Sequence, residues 1–133
     1  YDPGADRAGL QAARALGEEP CRVLKTLLAL VDGKPVCAIV PSDREVAMKR
    51  LAAAARGKSA QMMQPQAAER MAGYKVGGIS PFGLMRRMPV FIEAEALAHP
   101  LVYMNGGQRG LQVRIDPNEA LRVLGASAAA LVA

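Results

Sequence analysis

Apolar and polar positions alternate between two periods along this chain, and the changes of period mark its elements. From Ala5 to Leu16, Leu10, Ala13 and Leu16 recur at helical spacing, which predicts a first helix stopped at Gly17. Arg22 to Val31 is a dense apolar run read as a strand, and Asp32-Gly33 is a strong hairpin turn signal. Pro35 to Val40 is then the returning strand. Ser42 or Asp43 is the expected cap of a helix running to about Ala55 and closed by Gly57. A short strand is expected at Gln61–Met63, and a short helix at Pro65–Met71 with Pro65 in its first turn.

Beyond Gly73 the pattern turns extended through Tyr74–Ile79, followed by a loop at Ser80-Pro81-Phe82-Gly83. Strands are predicted at Val90–Ile92, Leu101–Met104 and Leu111–Ile115, the last two separated by a glycine-rich connection. Asp116-Pro117 opens a final helix with Leu121 and Leu124 facing inward. No repeat and no linker interrupts this order. Strands and helices joined by short connections predict one domain over residues 1–133, of mixed α/β (α+β) class. Its sheet is expected to be twisted or barrel-like and flanked by helices.

Composition narrows the function. With 133 residues, 51% of them apolar and 22% charged, the chain can bury a core without disulfides or metals. The absence of Trp and an aromatic content of 4% argue against a base-stacking platform for single strands. The net charge is +5, and it is uneven: residues 41–75 carry seven bases against three acids. That segment is either a solvated face or a surface for phosphates. No apolar run approaches the ~20 residues needed to span a bilayer. Cys21 and Cys37 lack CxxC spacing and are expected to be reduced thiols, which together with the missing signal peptide predicts a cytoplasmic protein. The start at Tyr1 rather than Met predicts that further N-terminal residues precede it.

Candidate chemistry is sparse. His99 is the only histidine, which excludes a multi-histidine metal site, and no cofactor is expected. No serine lies in a GxSxG elbow. Gly57-Lys58-Ser59 resembles the end of a P-loop, but Ala52 stands where its first glycine is required. Cys37, in an apolar strand, reads as core. Two features remain. Lys25 shares one face of its strand with Val23 and Leu27, so it either snorkels to solvent or points into a pocket that wants a cation. Two glycine-rich segments, Gly77–Gly83 and Asn105–Gly110, are either tight turns or backbone cradles for an anion or oxyanion.

Three strings then carry a resemblance: Lys25-Thr26-Leu27-Leu28, Gly73-Tyr74-Lys75-Val76-Gly77-Gly78-Ile79-Ser80-Pro81-Phe82-Gly83, and Gly106-Gly107-Gln108-Arg109-Gly110-Leu111. In this order, from about Asp2 onward, the chain resembles the YbaK/EbsC family, related to the editing domain inserted in bacterial prolyl-tRNA synthetases. The long GYxVGGISPFG string points to the Cys-tRNA(Pro) deacylase branch. The resemblance implies a mostly antiparallel, barrel-like mixed sheet and a free-standing trans-editing enzyme. It would remove cysteine from tRNA(Pro), and from Cys-tRNA(Cys), the substrate's own thiol attacking its ester. The partners implied are aminoacyl-tRNA and prolyl-tRNA synthetase, with no membrane; a monomer is the default expectation.

The same resemblance assigns roles. Lys25 would hold the terminal adenosine phosphate or the ester region. The N–H groups of Gly77 and Gly78 would face the aminoacyl carbonyl. Ile79, Ser80 and Pro81, with Phe82, would wall the side-chain pocket, and Gly106 and Gly107 would form the opposite wall. Asn105 and Gln112 stand near the pocket where the family member compared has serine and aspartate. A family tyrosine near the substrate falls just before residue 1, so Tyr1 takes no such role. The rival readings are a deacylase for alanine or serine that uses water, an inactive module docking on tRNA or a synthetase, and a general nucleic-acid-binding domain. The retained Lys25 and GGISPFG string speak against the second, and sparse aromatics against the third.

Overall fold

Eight residues of continuous pairing, Leu24 opposite Pro41 through Val31 opposite Lys34, make the β1–β2 hairpin the backbone of the fold. β1 spans Leu24–Val31 and β2 Lys34–Pro41. The turn between them has Asp32 at φ 50° and Gly33 at φ 81°, the left-handed pair that matches the twist of a two-residue hairpin. A computed structural model describes the chain apart from residues 1, 2, 76, 77, 85, 109 and 110, and apart from the side chains of residues 3–7.

The described elements are α1 (Pro3–Leu16), β1, β2, α2 (Met48–Ala54), β3 (Ala60–Met62), α3 (Pro65–Ala72), β4 (Val90–Glu93), β5 (Val102–Asn105), β6 (Gln112–Ile115), α4 (Pro117–Leu124) and β7 (Ser127–Ala129). Short 3-10 turns cover Pro20–Arg22 and Ala94–Ala98. Five strands form one sheet in the order β3-β1-β2-β4-β7, and β5-β6 form a second ribbon. β1 pairs antiparallel with β2 and β3, as does β5 with β6, while β2–β4 and β4–β7 are parallel. The predicted α+β class and largely antiparallel mixed sheet are therefore present. The ribbon meets the main sheet at an isolated parallel bridge, Val23 to Tyr103, and the described strands do not close a barrel.

Strict alternation along β1 divides the core. Leu24 and Leu28 join Cys37, Ile39, Ile79, Ile92 and Met104 on one side of the sheet. Leu27, Ala29 and Val31 join Val40, Leu51, Leu131 and Val132 on the other. Each fully buried aliphatic here contributes roughly 1.5–3 kcal/mol, and α2 is held on its side by Leu51 and Ala52.

One expectation changes, the start of the second helix. In the first helix, of the three residues at helical spacing, Leu10 and Leu16 are 44% and 43% exposed, while Ala13 is buried at 1%. α1 thus leans on the sheet by its small residues. The second helix does not begin at Ser42 or Asp43: its N-cap is Ala47, with no side-chain cap. Val46 instead bridges to Val132, Ala47 N–H donates to Leu131 O at 2.7 Å, and Ser42 Oγ donates back to Val23 O. Tertiary pairing with a distant segment outcompetes a local cap. No described helix is long and apolar enough to cross a membrane.

Candidate active site

Lys25 follows from the alternation. It pairs with Val40 in the β1–β2 ladder and sits on the Leu27 side of the sheet. It is only 4% exposed, and its Nζ lies 3.9 Å from Glu45 Oε1, a carboxylate on the exposed β2–α2 connection. The side chain is thus buried and does not extend into solvent. Burying an ammonium is costly without compensating charge and hydrogen bonds, so this position is built rather than incidental.

Register extends the site. Val23 bridges Tyr103 in parallel, and two residues farther along each strand stand Lys25 and Asn105. Asn105 is in turn the antiparallel partner of Gln112. Residues paired across a ladder share a face, so Lys25, Asn105 and Gln112 form a row across three strands. Leu24 and Met104, one residue back on each strand, correspondingly share the first core side. Asn105 is 8% exposed, and its Oδ1 accepts from Gly107 N–H at 2.7 Å. The Oε1 of Gln112 is buried without a hydrogen-bond partner.

The glycine-rich segments meet through Tyr74. Its hydroxyl donates to Phe82 O at 2.9 Å, and a Cβ on Gly107, whose φ is 115°, would come within 3.1 Å of its Cε1. Only glycine combines that conformation with that contact. Gly106 is fixed differently: its N–H donates to Leu111 O at 2.8 Å, and a Cβ would strike Leu111 Cγ at 2.7 Å.

The remaining expected site residues divide. Ile79 is buried in the first core side, and Phe82 packs partly against that core, so both side chains anchor their loop. Ser80 is buried, and its Oγ accepts from Phe82 N–H at 3.1 Å, shaping the turn; Pro81 is also buried. Gly78 N–H donates to Lys75 O at 2.8 Å, so an acyl carbonyl could take it only as a shared bond. Gly77 lies outside the described residues.

Neither cysteine is poised as a nucleophile. Burial pushes the Cys37 thiol up to about 12. Cys21 is also raised, by partial burial and then by its hydrogen bond to Glu19 at 3.4 Å. A thiol above its ordinary value supplies little thiolate at neutral pH.

Sequence reasoning missed three contributors: Glu45 beside Lys25, Tyr74 between the glycine segments, and α1 as a wall. Ala8, Gln11, Ala12 and Ala15 of α1 face Leu111 and Gln112 across a groove of about 470 Å³. The signal available was the alanine face of α1, which invites close approach to a neighbour.

The chain matches the model of the aminoacyl-tRNA editing domain over residues 3–123. It belongs to that family. A protein of Enterococcus faecalis named "putative Cys-tRNA(Pro)/Cys-tRNA(Cys) deacylase EbsC" is 33% identical to this editing domain over 110 residues, which is 82% of this chain and 67% of that protein. A proline–tRNA ligase of Nitratidesulfovibrio vulgaris is 35% identical over 80 residues, 60% of this chain but only 14% of the ligase. Among solved structures, one described as "a putative trans-editing enzyme for prolyl tRNA synthetase" superposes with a TM-score of 0.88 at 24% identity, covering 98% of this chain and 83% of that one. That likeness carries the fold of the editing domain.

Proposed function

We propose that this editing domain is a deacylase that removes cysteine from Cys-tRNA(Pro), and from Cys-tRNA(Cys), with the substrate's own thiol as nucleophile. The observation that carries the reading is Lys25: a buried cation at the head of a row of amides, in a protein whose own thiols, Cys21 and Cys37, are unfit to attack. The 33% identity to the E. faecalis protein supports the substrate class.

In the proposed reaction the cysteinyl sulfur forms a bond to its own ester carbonyl carbon. The carbon–oxygen ester bond breaks, the thiol proton ends on the departing ribose hydroxyl, and a cyclic thiolactone leaves to be hydrolysed. The protein contributes positioning and charge. Lys25 stabilises the anionic oxygen or holds the adjacent phosphate, and the family resemblance assigns the Gly77 and Gly78 N–H groups to the carbonyl, that of Gly78 as a bond shared with Lys75 O. Gly106 and Gly107 with Asn105 close the opposite side. Prolyl-tRNA synthetase is the expected partner, since the modest charge of residues 41–75 gives little selectivity among tRNAs.

Single-turnover deacylation of Cys-, Ser- and Ala-tRNA(Pro) tests this. Serine differs from cysteine by oxygen for sulfur, so its ester is expected to survive at least about tenfold longer. Lys25→Ala should slow cysteine release by about 10²–10³-fold, the usual cost of losing one preorganised charge donor. Lys25→Met, nearly isosteric, separates loss of charge from loss of packing. A second reading, a water-dependent deacylase for alanine or serine, is favoured by the neutral amides Asn105 and Gln112 beside the site. Comparable serine and cysteine cleavage would select it. Unchanged discrimination between tRNA(Pro) and tRNA(Cys) on adding the synthetase would remove that partner.

A further inference from the structure

Lys25 and Glu45 make an unequal pair. The lysine side chain is 3% exposed and the glutamate side chain 63%, with 3.9 Å between Nζ and Oε1. An ammonium buried on a strand of the sheet does not follow its partner into water, whereas a carboxylate on a connection reaches solvent by side-chain rotation alone. The backbone that carries this carboxylate is nonetheless anchored on both sides. Arg44 N–H donates to Pro41 O at 3.1 Å, and the Arg44 guanidinium is held by Glu95 at 3.1 Å and by Ala133 O. Val46 bridges Val132, and Ala47 N–H donates to Leu131 O at 2.7 Å. The connection thus presents Glu45 at a fixed place beside the lysine while its side chain stays able to leave. A separation of 3.9 Å is also beyond hydrogen-bond length, so the pair is joined by charge, with no direct bond to break.

We propose that Glu45 is a displaceable counter-ion: it positions the Lys25 ammonium between turnovers and gives it up to an anionic group of the substrate. Two physical demands favour such a partner. A buried cation with no opposite charge nearby destabilises the fold. A buried cation locked in a short, hydrogen-bonded pair resists a ligand, because the incoming anion must first break that pair. A loosely held, exposed carboxylate meets the first demand and avoids the second. Glu45 is accordingly a positioning residue that acts through Lys25. The inference rests on the proposed reaction only in taking the incoming anion to be the phosphate beside the ester.

The test compares wild type with Glu45→Gln, Glu45→Asp and, as a control for charge on the same connection, Asp43→Asn. Titration of the ¹⁵N-labelled proteins with inorganic phosphate, followed by the amide shifts of residues 24–26, reads an anion at the lysine without any turnover. Glu45→Gln removes the competing carboxylate and should tighten phosphate about three- to fivefold, the upper range for an ion pair with one exposed partner. Glu45→Asp keeps the charge and Asp43→Asn lies outside the pair, so both should stay within about twofold of wild type. In a Lys25→Met background the gain from Glu45→Gln should vanish, as coupling between the two residues requires. A merely structural Glu45 would move the urea midpoint and leave the phosphate affinity of the folded protein alone. In single-turnover deacylation, Glu45→Gln should lower the half-saturating concentration of Cys-tRNA(Pro) by a similar factor, with the limiting rate within about twofold of wild type. Unchanged phosphate affinity, or a gain that persists without Lys25, would overturn the proposal. A loss of about tenfold in limiting rate at unchanged half-saturation would also overturn it, by making Glu45 part of the chemical step. Phosphate competition without deacylation sinks only the functional reading, and deacylation with a phosphate affinity indifferent to Glu45 sinks only the counter-ion.

Discussion

Neighbouring residues on β1 answer to opposite sides of the sheet, and Lys25 and Thr26 illustrate the consequence. Lys25 heads the polar row with Asn105 and Gln112, whereas Thr26 lies on the side of Leu24 and Leu28. Thr26 is 5% exposed, and its Oγ1 finds no hydrogen-bond partner. Replacing an unpaired buried hydroxyl with a methyl of the same shape removes a desolvation cost of about 1 kcal/mol or more. Thr26→Val is therefore expected to leave the urea midpoint unchanged or raise it, and to keep deacylation within about twofold of wild type. A tenfold loss of activity with an intact midpoint would place Thr26 at the reacting centre and break the face assignment. Alternation in the sequence already separated these two residues. It could not say whether Lys25 snorkels or is buried, because that depends on Glu45 and on the ribbon arriving from residues 102–115.

At the scale of elements, those made from local signals were readable, and those made by distant partners were not. The Asp32-Gly33 hairpin formed where its turn chemistry placed it. The carboxylate of Asp32 does further work there: it accepts from the N–H groups of Lys58 and Ser59, which hold it below the usual range. β7 went unread because Ser127–Ala129 has no strand pattern of its own; it pairs in parallel with β4 after α4 has turned the chain back. The late start of α2 has the same origin in the 131–132 segment. α4 is the opposite case, since Asp116 caps it as expected, accepting from Asn118 N–H at 2.8 Å. Asp116→Ala should cost about 1 kcal/mol of unfolding free energy, measured by urea denaturation at neutral pH. The structure of β1 should be untouched, so amide exchange there should slow or quicken only with global stability. A cost within error of zero would mean that Pro117 and the buried Ala120 alone fix the start of this helix.

Over the whole molecule, one carboxylate joins the ends of the sheet to the site. Glu93 closes β4 and is 2% exposed, yet its oxygens accept from Leu131 N–H at 2.7 Å, Val132 N–H at 3.0 Å and Glu95 N–H at 2.8 Å. The segment it holds is the one that pairs with Val46 and Ala47, flanking Glu45 and hence the environment of Lys25. Burial alone would raise the Glu93 carboxyl, but the three N–H donors, with Arg44 nearby, outweigh it and hold the group below its ordinary value of 4.5. The sign follows directly. A carboxyl depressed in the folded state stabilises the fold fully above the unfolded value, and that contribution is lost as the pH falls through the lower folded value. Glu93→Gln removes the charge and turns an amide donor toward backbone donors, at an expected cost of about 1–3 kcal/mol at pH 7. Because the variant cannot titrate at this position, its deficit relative to wild type should be constant from pH 7 to 5 and shrink as the pH falls below 4.5. Urea denaturation of both proteins across that range reads the difference. A deficit that stays constant down to pH 3 would show that the Glu93 charge is not what holds residues 131–132, leaving the segment to its apolar contacts through Leu131 and Val132.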